Sequence, residues 1–200
     1  MRVTRKVSSF LSACLLGGCG GLASSDFTGT WISTDTTSRV EFFPNGRATV
    51  GDPLNSLTAT WTRDGGTGTI AISDTAGTPL EIAVAKSGDN LLMSIDSDTV
   101  RYQRATPALE TAFARISSNE AVNAMTADLL ALKEAQATVH QLAKKYSSAM
   151  PLDFQPSNSV AITITDATTS TWSALAAHPA TTLKCTIAVG GSGSGVVGCN

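Results

Sequence analysis

The chain is poor in charge, in aromatic rings and in metal-binding side chains. Only 15% of its 200 residues are charged and 6% are aromatic, and it has two His and four Cys. An ordinary soluble domain carries about 25% charged residues. The 14 Lys and Arg do not outnumber the 16 Asp and Glu, so the net charge is -2. That balance excludes a nucleic-acid binder that works by net positive charge. The low charge density excludes a disordered polyelectrolyte and a coiled-coil rod. Two His and four Cys are thin material for a metal site, which takes about four ligands. Ser and Thr fill the gap, at about a quarter of the chain. The length allows one or two small domains.

Long apolar runs are also missing. Val7–Gly18 is about twelve residues, too short to cross roughly 30 Å of hydrocarbon as a helix. It follows the basic start Arg2, Arg5 and Lys6 and ends in small residues. A positive start, a short apolar core and a small-residue end read as a secretory signal. Leu16-Gly17-Gly18-Cys19 resembles a bacterial lipobox, which is cut before a Cys that becomes lipid-modified. Leu11-Ser12-Ala13-Cys14 matches that pattern better, but leaves an apolar core of only about five residues. Cys19 is therefore the favoured lipidation site. The alternative is an ordinary cleaved signal with incidental cysteines. One acyl chain holds a protein to a membrane weakly and several hold it firmly.

Gly20, where Asp would mark inner-membrane retention, resembles the outer-membrane sorting signal. The expected location is the outer membrane or cell surface, facing periplasm or exterior. The boundaries read as a signal peptide over 1–18 and a linker over 19–26. Cleavage leaves 11 basic and 16 acidic groups, a net of -5.

Cys185 and Cys199 close a loop of 15 residues. In an exported chain a disulfide is the expected state. A metal site there would have His178 as its nearest imidazole and no further Cys.

Residues 27–104 read as eight short strands: Gly29–Thr34, Ser38–Phe43, Arg47–Val50, Leu57–Arg63, Gly68–Ser73, Leu80–Lys86, Asn90–Ile95 and Thr99–Arg104. Asn45-Gly46, Asp64-Gly65-Gly66, Asp74–Gly77 and Ser87-Gly88-Asp89 separate them, with residues that supply the positive φ of tight hairpins. A hairpin-linked meander of this kind closes into a barrel, which removes exposed sheet edges. Alternation puts Trp31, Val40, Phe42, Trp61, Ile70, Ile72, Ile82, Val84, Leu92 and Tyr102 on one face. Trp31, Phe42, Trp61 and Tyr102 either fill the barrel as core or line a small apolar ligand site within it. Arg39, Glu41 and Arg101 read as outward-facing.

Phe27-Thr28-Gly29-Thr30-Trp31 is similar to the Gly-x-Trp opening of lipocalin-like domains. Val40–Gly46 is similar to the strand and Asn-Gly hairpin of the small lipocalin-like modules on bacterial lipoproteins. The resemblance covers about 78 residues, half the length of a full lipocalin, and implies a narrow barrel.

Residues 105–200 read as a long helix and a small antiparallel sheet, an α+β arrangement. Thr106-Pro107 can start the helix, and the capping box Ser117–Glu120 can start or restart it. Val122, Met125, Leu129, Leu132, Gln136, Val139, Leu142, Ala143 and Tyr146 form its stripe, and Pro151 ends the run. Val160–Thr165, Trp172–Ala177, Leu183–Val189 and Gly195–Cys199 read as strands.

Met125–Leu129 with Ala135-Gln136, then Phe154–Ser157, Val160–Thr165, Thr171–Ala174, His178, Thr182–Cys185 and Val196–Asn200, resemble in order the globular part of type IV pilins and pseudopilins. The resemblance covers about 75 residues and implies a C-terminal disulfide loop. The pilin leader, with its Gly-Phe cut site and long apolar helix carrying a Glu, has no counterpart.

Gly193–Gly198 satisfies Gly-x-Gly-x-x-Gly, but no helix and no acidic residue can follow it, so it reads as a turn. Gly-x-Ser-x-Gly is missing. Asp96-Ser97-Asp98 lacks the EF-hand pattern. His140 reads as a solvated helix position and His178 as a turn residue. Lys144-Lys145 suits a helix C-terminus.

The expectation is a lipid-anchored, non-catalytic interaction or structural module. It would have no cofactor and no metal, and a membrane held through lipid. A protein or surface partner would be met through the C-terminal half, and no nucleic acid. The alternatives are a carrier of a small apolar ligand and an accessory piece of a pilus or type II secretion system.

Overall fold

The computed structural model describes residues 27–73 and 79–200. The signal 1–18, the linker 19–26, the lipidation site Cys19 and the turn Asp74–Gly77 lie outside the described residues.

The first half is a closed antiparallel barrel in chain order: β1 (Gly29–Ser33), β2 (Arg39–Phe42), β3 (Arg47–Gly51), β4 (Ser56–Asp64), β5 (Thr67–Ser73), β6 (Pro79–Ser87), β7 (Asn90–Ile95) and β8 (Asp98–Arg104). Two-residue turns join β4 to β5 and β7 to β8, where Asp64 pairs with Thr67 and Ile95 with Asp98. Gly88, at φ 62° in the turn from β6 to β7, holds the left-handed backbone that such turns require.

Inward residues follow the alternation. Trp31, Val40, Phe42, Ile70, Ile72, Ile82, Val84 and Tyr102 are buried together, and Trp61 packs against them half-buried. Strand β7 departs from the sequence reading: Leu91 and Met93 face in and Leu92 does not. Leu91-Leu92-Met93 has no alternation of its own. Pairing decides its phase, because Leu91 lies opposite Tyr102 and Met93 opposite Val84.

A long helix, α1 (Pro107–Ala143), follows. Thr106 caps it, its hydroxyl accepting from the Leu109 N–H at 3.3 Å. The capping box at Ser117–Glu120 starts nothing. Ser117 Oγ instead donates to the Phe113 carbonyl one turn back at 3.0 Å. The helix ends earlier than Pro151, at Lys144, whose φ of 57° turns the chain left-handed while its N–H bonds His140 O. Leu142 and Ala143 are accordingly exposed and not part of the stripe.

The sheet has β12 (Gly193–Ser194), β11 (Lys184–Gly190), β10 (Trp172–Ala177) and β9 (Ala161–Ala167) in that order, with β13 (Gly198–Cys199) also paired to β11. Of the strand read at Gly195–Cys199 only Gly198–Cys199 is one, and the two-residue β12 precedes the predicted stretch. Met125, Leu129 and Leu132 of α1 pack on Trp172, Ala174, Ala176, Cys185 and Ile187. The alanines of β10 let the helix lie close. Cys185 and Cys199 sit opposite each other across β11 and β13 and form a disulfide.

Candidate functional site

The two ends of the barrel differ. At the end where β1 enters, Phe27 is buried and packs against Phe42 and Trp61, with ring centroids 6.0 and 6.1 Å away. The indole of Trp31 donates to Phe27 O at 2.8 Å, and that of Trp61 to Phe43 O at 2.9 Å. The Arg104 guanidinium lies over Trp31 at 4.5 Å, and that of Arg63 over Phe27 at 5.7 Å. Aromatic packing and cation–π contact stopper this end.

The opposite end gathers the close of β1, β3, β5 and β7 and the start of β2, β4, β6 and β8. Its rim is apolar. Leu57 pairs with Val50, Leu80 with Ile72 and Val100 with Met93, all in the inward-facing phase, and Ile95 follows Met93 by two. Yet Leu57 is 56%, Leu80 49%, Ile95 40% and Val100 41% exposed. Asp98–Val100 pair only with β7, because β1 reaches no further along β8 than Tyr102. The tip of the β7–β8 hairpin is therefore unpaired on its β1 side.

On the β1–β2 side a polar network closes this mouth. Tyr102 OH and Ser38 Oγ are 2.9 Å apart, and Ser33 Oγ donates to Asp35 Oδ1 at 2.6 Å. The Ser33 hydroxyl, then the Thr37 N–H, hold the Asp35 carboxyl below its ordinary value. Burial pushes the Tyr102 hydroxyl up, and the Asp35 charge adds to that.

The second half of the chain reaches the same mouth. Asn158, just ahead of β9, donates to Asn55 Oδ1 at 2.6 Å. A cleft of about 670 Å³ opens there, lined by Ser38, Val50, Asn55, Leu57, Asn158 and Ser159. Its floor is apolar and its walls carry hydroxyls and amides. Asp52 bounds it: burial alone would raise this carboxyl, but the N–H groups of Leu54 and Asn55 outweigh that and keep it low. An apolar chain with a neutral polar head is what such a surface can hold.

Of the residues named from sequence for the barrel, Trp31 and Phe42 fill its interior and Trp61 its stoppered end. Tyr102 alone of the four reaches the mouth. Arg39 and Glu41 are outside, as the alternation indicated, with Arg39 between Glu41 at 3.8 Å and Glu110 at 3.5 Å. The mouth itself was missed. Its signal was present in the inward-phase Leu57, Leu80, Ile95 and Val100, which stand at strand ends.

His178 opens a turn, as read from sequence, its carbonyl accepting from Thr181 N at 3.2 Å, whereas His140 departs from the solvated helix position expected of it. His140 stacks on Tyr146 at 4.4 Å, with Nε2 2.9 Å from Thr169 O. His178 is buried, its Nδ1 accepting from Ala180 N at 3.1 Å while Nε2 has no partner. Among the described residues neither imidazole bonds a hydroxyl, so no nucleophile–base pair is formed by them.

A second cleft, of about 620 Å³, lies on the face of the sheet away from α1. Thr165, Ser173, Leu175, Thr186 and Val196 border it, with Asp166 as a charged member. No protein-family model matches this sequence, no curated protein matches it, and no solved structure matches its fold.

Proposed function

We propose that the chain is a lipid-anchored module of the bacterial cell envelope that acts by contact rather than by catalysis. Cys19 carries the anchor in this reading. The barrel is of the small lipocalin-like kind, and the helix and sheet are of the pilin-like kind. The observation that carries the proposal is the filled barrel. Trp31, Phe42, Ile70, Ile82 and Leu91 leave its interior to the protein's own side chains. What remains for recognition is the outside, where the outer face of the sheet offers a cleft of hydroxyl and small apolar side chains with Asp166 as a charged member. Fold alone is a weak warrant for function, so the anchor is the part to test first. Mass analysis of the mature N-terminus finds a lipid-modified Cys19, and Cys19→Ser releases the chain from the membrane fraction. An unmodified N-terminus, or a mutant that stays with the membrane unchanged, overturns the reading.

The apolar mouth favours a second reading, a carrier of a small amphiphile. The ligand would lie across Val50 and Leu57, with its head among Ser38, Asn55 and Asn158. A fluorescent monoacylglycerol, whose head is neutral, binds the full chain and loses affinity at least tenfold in Leu57→Arg. Equal binding by the variant removes this reading and leaves the first untouched.

A further inference from the structure

Strand β9 is the open edge of its sheet. It pairs with β10 on one side and, among the described residues, with no strand on the other. Edge strands leave a row of N–H and C=O groups ready for another chain, and proteins commonly blunt them with Lys, Pro or very short length. The strand reads Ala-Ile-Thr-Ile-Thr-Asp-Ala, with no Pro and one charge, Asp166, near its far end. The run Ala161–Thr165 is uncharged, four of its five residues being Ile or Thr. Ala161, Thr163 and Thr165 are exposed, and Ile162 and Ile164 only half-buried on the helix side.

We propose that β9 is a self-association edge, pairing antiparallel with β9 of a second copy about a dyad at Thr163. The register follows from what each alternative opposes. With Thr163 opposite Thr163, Ile162 meets Ile164 and Ala161 meets Thr165 of the other copy. Apolar residues then face apolar residues on the helix side, and on the other the two Thr163 hydroxyls meet with a small Ala161 opposite Thr165 at each flank. A dyad at Ile162 would draw in Ser159, whose φ of 64° is not a strand conformation. A dyad at Ile164 would set Asp166 against Ile162. Only the Thr163 register keeps both copies within Ala161–Thr165 and opposes no charges. The strand's own bulge agrees with that limit. Pairing to β10 shifts between Ser173 and Ala174, which leaves Thr165 as the extra residue where the straight run ends. The pairing requires nothing of Cys19, so it stands or falls apart from the anchor.

Cysteine cross-linking tests the register. The full-length chain with Cys14→Ser and Cys19→Ser, in mild detergent, receives single exposed cysteines and a mild oxidant. Thr163→Cys is expected to form a disulfide dimer several-fold above a Thr138→Cys control on the helix. Ala161→Cys mixed with Thr165→Cys is expected to cross-link more than either alone. Adding Thr163→Lys to both chains abolishes that cross-link, and Thr163→Lys on one chain with Thr163→Glu on the other restores it. Circular dichroism checks that the variants fold. Cross-linking of Thr163→Cys no better than the control, or charge variants without effect, overturns the proposal.

Discussion

Asp128 of α1 and Ser157 of the segment ahead of β9 are joined twice: Oδ2 accepts from Ser157 N at 2.7 Å, and Oδ1 from Ser157 Oγ at 2.8 Å. Asp128 is buried, so both carboxylate oxygens find their donors in one residue. The contact fixes where the chain returns from the helix to the sheet, and so where Asn158 meets Asn55 at the barrel mouth.

Asp128→Ala removes both bonds. Hydrogen bonds to a charged group contribute about 1.5–3 kcal/mol each. Ser157 is exposed, so its freed N–H and hydroxyl turn to water. The variant is therefore expected to lower the urea midpoint by an amount equivalent to about 2–4 kcal/mol, less than the sum of the two bonds. Ser157→Ala keeps the backbone bond and is expected to cost about half as much. Equal costs would refute the two-bond account.

Gln136 works the same way at the other end of the loop. Its Nε2 donates to Ser147 O at 2.8 Å and its Oε1 accepts from Ser147 N at 2.9 Å. The side chain is fully buried. Gln136→Leu leaves two backbone groups unpaired, a loss of about 1–3 kcal/mol for each group that water cannot reach. Gln136→Glu keeps an acceptor but loses the donor and buries a charge, so thermal unfolding at neutral pH should place it below Gln136→Leu. The reverse order would show the amide to be dispensable.

These two pins mark where the sequence stopped being legible. The strands of the barrel could be read because Trp31, Val40, Phe42, Ile70 and Ile82 alternate cleanly with polar residues between Gly and Asn turns. Leu91-Leu92-Met93 could not be phased, since its inward face is set by Tyr102 and Val84 on neighbouring strands. The stripe of α1 was right through Met125, Leu129, Leu132 and Gln136. It was wrong at Leu142, because the left-handed turn at Lys144 cuts the helix before the stripe would dock. Nothing in the sequence marks Asp128 for burial, and only the return of the chain through Ser157 makes it a buried anchor. The apolar mouth was hidden for a related reason. Its residues sit in the correct phase for a core, and what exposes them is that the wall ends there.

The disulfide joins Cys185 to Cys199 at a sequence separation of 14. On the loop-entropy account a closure of this length stabilises by about 3 kcal/mol. Replacing both cysteines with Ala, or adding reductant, is expected to lower the unfolding temperature of the helix and sheet by several degrees. The barrel, followed through Trp31 and Trp61, is expected to hold its own transition. A common shift of both signals would mean that the two halves unfold as one unit.

The polar network at the mouth makes the barrel sensitive to pH at both extremes. Burial raises Tyr102 above the ordinary 10.0, the Asp35 charge adds to this, and the Ser38 bond offsets part of it. The folded state thus holds the phenol proton more tightly than the unfolded chain does. The contribution to stability is whole below 10.0, and is lost as pH rises from there through the folded value. Asp35 has the opposite sign. Its carboxyl is held below 3.8, first by the Ser33 hydroxyl and then by Thr37 N–H. That contribution is whole above 3.8 and is lost as pH falls through the folded value. Tyr102→Phe therefore flattens the alkaline limb of a stability–pH curve. At neutral pH it costs about 1 kcal/mol for the lost hydroxyl bond. Asp35→Asn flattens the acid limb and brings the Tyr102 titration, read by phenolate absorbance, to lower pH. A Tyr102 titration that does not move in Asp35→Asn would separate the two residues and leave burial as the whole cause.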